Sequence, residues 1–107
     1  MSIKSIYDSI LSFSENEEIF ETLLKNRNIK IERIISSGQF TEKGVWYDQD
    51  INEWILLVQG EAILEFENKE TVKMKKGNYY NIPSHLKHRV AYTSKKPKCI
   101  WLAVLYK

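Results

Sequence analysis

The sequence predicts an all-β protein, an antiparallel double-stranded β-helix or jelly roll with one helix at its N-terminus. Three observations carry this reading. From Ile29 onward apolar residues recur at every second position, the signature of strands rather than helices. The strand-like runs follow each other too closely for crossover helices, so the sheets must be antiparallel. Turn residues punctuate the runs, at Ser37-Gly38, Gly60-Glu61, Asn68-Lys69, Lys76-Gly77-Asn78 and Pro83-Ser84.

Taken in order, residues 1–13 place Ile3, Ile6, Tyr7, Ile10, Leu11 and Phe13 among serines, as a short lead-in that packs on the body. Ser14 and Glu17 stand at capping-box spacing, in which a hydroxyl and a carboxylate satisfy free backbone donors at a helix start. Ile19, Phe20, Leu23 and Leu24 would share one face of the helix that follows, so residues 15–26 are expected to be helical. Residues 1–28 thus form a helical lead-in and residues 29–107 a barrel, within one domain.

In the barrel, residues 29–36 are β-rich and residues 54–58 form a solid apolar run. Ala62, Leu64 and Phe66 then alternate with Glu61, Ile63, Glu65 and Glu67, and Val72 and Met74 alternate with Thr71, Lys73 and Lys75. Gly60-Glu61 and Asn68-Lys69 both suit tight hairpins. The final run, residues 100–106, is apolar at every position, so both of its faces need cover. Either the N-terminal helix or a second subunit would supply it, and a homodimer is expected.

Composition narrows the function classes. A chain of 107 residues supports one core and one principal pocket. Sixteen basic against 14 acidic side chains leave a net charge of +2, which argues against a dedicated nucleic-acid binder. The lysines at positions 73, 75 and 76 and at 95, 96 and 98 read as solvated turns and strand edges. The one cysteine, Cys99, cannot form an internal disulfide. No apolar segment resembles a signal peptide or membrane span, so a cytoplasmic protein is expected, with a small molecule as its partner.

Two stretches break the rules of plain strands. Asp48, Gln49, Asp50, Asn52 and Glu53 stand directly ahead of the apolar run 54–58, and His85 and His88, the only two histidines, follow Pro83 and lead into Val90. If the stretches meet inside a barrel they form one pocket, with Glu53 and His88 pointing inward. A buried carboxylate and imidazole are costly unless they pair or hold a ligand. A hydrogen-bonded Glu53–His88 pair that only fixes the core is the simplest arrangement. Trp46, Trp54, Tyr80 and Tyr92 would line such a pocket, with His85 or Tyr47 as a proton carrier. A one-residue slip would instead turn Asp48 and Asp50 inward.

These residues resemble the cupin superfamily, and in particular compact single-domain bacterial cupins of the cupin 2 type, which carry Trp-Tyr-Asp-Gln and Pro-x-His-x-x-His segments. The likeness spans about residues 30–105. Glu53 and Gly60 match the end of the first motif, and Gly77, Pro83 and His88 match the second, with residues 61–76 between them. The resemblance implies a cupin barrel and a divalent metal, zinc, nickel, iron or manganese, held by Gln49, Glu53 and His88. It departs from the family where two histidines should precede the glutamate, because Tyr47 and Gln49 stand there. The expected function is an internal pocket for a small polar ligand. The alternatives are a metal-dependent isomerase, lyase or dioxygenase acting on a sugar or organic acid, and a structural dimer with a Glu–His polar core.

Overall fold

The computed structural model describes residues 2–107. Eight strands form two antiparallel sheets that face each other as a jelly roll. They are β1 (Ile19–Lys25), β2 (Ile29–Ser36), β3 (Asn52–Gln59), β4 (Glu61–Phe66), β5 (Thr71–Lys75), β6 (Tyr79–Ile82), β7 (His88–Thr93) and β8 (Cys99–Tyr106). The larger sheet runs β1-β2-β8-β3-β6 and the smaller β5-β4-β7. Between them lies a core of Ile55, Leu57, Ala62, Leu64, Phe66, Met74, Cys99, Trp101 and Ala103, each no more than 5% exposed.

The N-terminal helix expected over residues 15–26 does not form. One 3-10 turn, Ile10–Ser12, precedes β1, which pairs along the edge of β2. The physical reason is a bulge: Thr22 faces Glu32 and Leu24 faces Ile31, so Leu23 is an extra residue. An inserted residue breaks the two-residue period. The resulting spacing of Ile19, Phe20, Leu23 and Leu24 imitates a helical stripe. Ser14 accepts a hydrogen bond from the amide of Asn16, a local turn in place of a helix cap.

The last strand is not an edge. β8 lies between β2 and β3, its inner face on the core and its outer face partly covered by the lead-in. Arg33, 5% exposed, fastens that lead-in: its guanidinium donates to the carbonyls of Ile6 and Asp8, ion-pairs with Glu21 and lies over the Phe13 ring. Lys98 donates to the carbonyls of Ile10 and Phe13. Ile35 and Ile100, neighbours on that outer face, are 1% and 0% exposed.

Gly60 is also placed differently from the expected hairpin. β3 and β4 do not pair with each other; the chain passes from one sheet to the other at Gly60, with φ 96°. The Asn68-Lys69 hairpin does form, with Lys69 at φ 73° and its amide donating to the Phe66 carbonyl. No helix among the described residues is long and apolar enough to cross a membrane.

Candidate functional site

One cavity of about 220 Å³ opens between the sheets at the end where β3 begins. Strand alternation delivers its walls. β2 contributes Glu32 and Ile34, β3 Glu53 and Ile55, β7 His88 and Val90, and β8 Trp101 and Leu105. The segment before β3 runs along β7 in an antiparallel bridge, with the Tyr47 amide donating to the His88 carbonyl and the His88 amide donating back. That bridge sets the register: Tyr47 and Gln49 line the cavity, while the Asp48 side chain is turned to solvent and paired with His85.

Glu53 and His88 therefore meet as expected, from opposite sheets, but they are not hydrogen-bonded. His88 Nε2 stands 4.0 Å from Glu53 Oε1, with side chains only 6% and 14% exposed. His88 Nδ1 donates to the Leu86 carbonyl at 2.9 Å, which leaves Nε2 as an acceptor in the neutral ring. Neither Nε2 nor the Glu53 carboxyl has a hydrogen-bond partner among the described residues. Burial, and secondarily the charge of Glu32, push the Glu53 carboxyl up from 4.5 to about 7.

Among the wall residues that the sequence did not single out are two carboxylates, Glu18 and Glu32. Glu18 accepts from the Ser36 hydroxyl and Glu32 pairs with Lys30 at 3.2 Å. The signal was faint. In residues 29–36 charges fall on both strand faces, and only pairing with β8 shows that Lys30, Glu32 and Ile34 face inward.

The aromatic wall is not the expected one. Phe20, Phe40, Tyr47 and Trp101 line the cavity, whereas Trp46, Trp54, Tyr80 and Tyr92 do not. Trp54 lies on the outer face of β3 against Tyr79, and Trp46 lines a separate shallow depression with Phe66. Tyr80 points inward but packs on Phe66 at 5.6 Å, away from the cavity wall. Tyr92 is turned out by a bulge: Leu64 faces Val90 while Ile63 faces Tyr92, so Ala91 is the extra residue and the faces exchange beyond it. His85 is likewise not a cavity residue. Its side chain is 66% exposed, with Nδ1 at 2.8 Å from Asp48 Oδ1.

The same geometry tests the implied metal. Among the described residues no three His, Cys, Asp or Glu side chains converge as a metal site. Where two further imidazoles would be needed stand a phenol, Tyr47, and a neutral amide, Gln49. The set Gln49, Glu53 and His88 thus supplies one imidazole and one carboxyl and does not fit a resident divalent transition metal.

With this architecture in view, the comparisons with known proteins agree on the class. The family model for the cupin domain matches residues 37–105, and the chain belongs to that family. A solved structure from Ralstonia eutropha JMP134, provisionally described as a mannose-6-phosphate isomerase, is 35% identical over 100% of this chain and 99% of its own, with a TM-score of 0.92. A cupin superfamily protein from Desulfitobacterium hafniense DCB-2 superposes at TM-score 0.79 with 16% identity, over 99% of this chain and 92% of that one. A cupin-2 domain protein from Shewanella frigidimarina NCIMB 400 does so at 0.75 with 15% identity, over 98% and 95%. These last two show a shared fold alone. No curated protein matches the sequence.

Proposed function

We propose that the chain is a ligand-binding cupin whose cavity holds a small polar molecule directly against Glu53 and His88, without a resident metal. The observation that carries this is a pair of open groups: a largely buried carboxyl and imidazole nitrogen face one cavity, make no hydrogen bond within the protein or to each other, and are reached only through the cavity. Polar groups left open in this way inside a pocket are the usual anchors of a ligand, set here in a wall that mixes apolar side chains with a few polar ones.

A second reading, a metal-dependent isomerase of sugar phosphates, is favoured by the likeness to the Ralstonia eutropha protein. Two measurements separate them. Elemental analysis of protein purified without chelator or added metal should find no stoichiometric transition metal. NMR screening of small polar fragments should shift amides around Glu53 and His88, and the shifts should vanish in Val90→Phe or Ile34→Phe, which fill the cavity. A bound metal at unit stoichiometry would replace the first reading by the second. Fragments that shift no cavity amide would sink the ligand reading.

Association is part of the same proposal. On the outer face of the large sheet Trp54, Leu56, Leu102 and Val104 are neighbours in register and only half-buried, with Tyr79 beside them 68% exposed. A second copy laid on that face would form a homodimer. Light scattering at high concentration that gives a monomer mass would rule it out.

A further inference from the structure

The residues of the cavity wall point to a chemical class of ligand. This step rests on the reading of the cavity as a ligand pocket. We propose that it takes a small organic cation, a molecule with an ammonium or amidinium head and a short apolar body, rather than a sugar phosphate or another anion.

Charge is the first ground. Glu18, Glu32 and Glu53 line the cavity, and no lysine or arginine lines it. Lys30, on the same inward face of β2, is already paired with Glu32, which leaves Glu18 and Glu53 without an ion-pair partner from lysine or arginine among the described residues. Phosphate groups are bound by arginine, lysine or helix N-termini, and the wall offers none of these. The charge of Glu32 also disfavours that of Glu53, a cost that a cation between them would relieve.

Hydrogen-bonding capacity is the second, independent ground. With His88 Nδ1 committed to the Leu86 carbonyl, the free Nε2 of this side chain, itself only 6% exposed, is an acceptor in the neutral ring. The carboxylates are acceptors too. Gln39 is already used, its Oε1 accepting from the Ser37 amide and its Nε2 donating to the Glu15 carbonyl. Tyr47 and Gln49, also on the wall, can donate as well as accept, so the groups that only an incoming donor can satisfy are His88 Nε2 and the carboxylates; they ask for N–H donors, which an ammonium supplies and a phosphate does not. Aromatic rings complete the match: Phe20 and Phe40, 59% and 65% exposed, stand where the wall meets solvent, and Tyr47 and Trp101 lie on the wall as well. Ring faces attract cations.

The test compares isosteres. Phenethylammonium and butylamidinium are titrated against 2-phenylethanol, phenylacetate and glucose 6-phosphate, followed by NMR shifts and calorimetry on the intact chain. The cations should bind at least tenfold more tightly than the alcohol, and the anions should not bind. Glu53→Gln and Glu32→Gln should each weaken the cations about tenfold while leaving the alcohol unchanged, and added salt should weaken the cations alone. An alcohol or anion that binds as well as the cations, with binding lost in Val90→Phe, overturns the cation assignment and leaves the pocket reading in place. No response to any probe overturns both.

Discussion

The two ends of the barrel are built on opposite terms. At the end where β3 leaves the large sheet, Leu57, Met74, Cys99 and Ile100 are 0 to 2% exposed and Gly60 fits with no room for a side chain. At the other end Glu53, Glu32 and His88 occupy positions that apolar residues would fill more favourably, and a cavity remains. Close packing stabilises a fold, and open polar groups do not. The contrast is between an end that holds the barrel together and an end whose polar groups remain open.

The sharpest way to break the closed end is Gly60→Val. A Cβ there would stand 2.8 Å from Cys99 Sγ and Ser94 Oγ and 2.9 Å from Cys99 Cα, at a backbone φ of 96°. Strain and overpacking together should cost about 3 kcal/mol or more. Urea unfolding with an unchanged midpoint would show that this end is not closely packed.

At the open end the largest effect is a pH dependence. Glu53 rises from 4.5 when unfolded to about 7 when folded. The folded state thus holds its proton more tightly, so the stabilising contribution is full below pH 4.5 and is lost as pH rises through 7. Over that window the protein should lose about 2–3 kcal/mol. The charged or titratable groups facing Glu53 are Glu32 from β2, His88 from β7 and Tyr47 from the preceding segment. Glu53→Gln leaves those in place and should flatten most of the loss in unfolding experiments between pH 4.5 and 8. An equally steep loss in the variant would show that Glu53 is not its source.

The same contrast explains which features were legible in the sequence. The smaller sheet's β4 and β5 obey simple alternation, and the cupin spacing of Glu53, Gly60, Gly77, Pro83 and His88 matched the two motifs. What was hidden depends on pairing. Two single-residue bulges, at Leu23 and Ala91, each exchange the faces of a strand, and turned a strand into an apparent helix and Tyr92 away from the cavity. Glu32 was hidden for a related reason, since its direction follows from its place opposite Ala103. Periodicity alone contains no register.

A smaller effect is expected for His88→Leu. The sequence suggested a hydrogen-bonded pair that fixes the core, but at 4.0 Å the two groups are not bonded. Leucine keeps much of the packing and loses one hydrogen bond to the Leu86 carbonyl, a cost of about 1 kcal/mol. In a double-mutant cycle with Glu53→Gln at pH 5 the two changes should add to within about 0.5 kcal/mol. A larger coupling would restore the structural pair.

The smallest effect belongs to the other histidine, and it separates the two ends of one segment rather than of the barrel. His85 lies three residues before His88, yet its ring is 66% exposed and its one side-chain partner among the described residues is Asp48. Its φ of 65° lies in the left-handed region, so the test variant should tolerate that backbone; asparagine does so better than alanine. An exposed ion pair contributes little, and His85→Asn should change stability by less than about 0.5 kcal/mol. The variant should also leave the NMR shifts of cavity amides and the affinity for any cavity ligand unchanged, because no atom of His85 lies on the wall. A loss of affinity would place His85 at the mouth of the pocket as a binding or proton-carrying group, and would mean that the corner after Pro83 closes over the cavity when a ligand is bound.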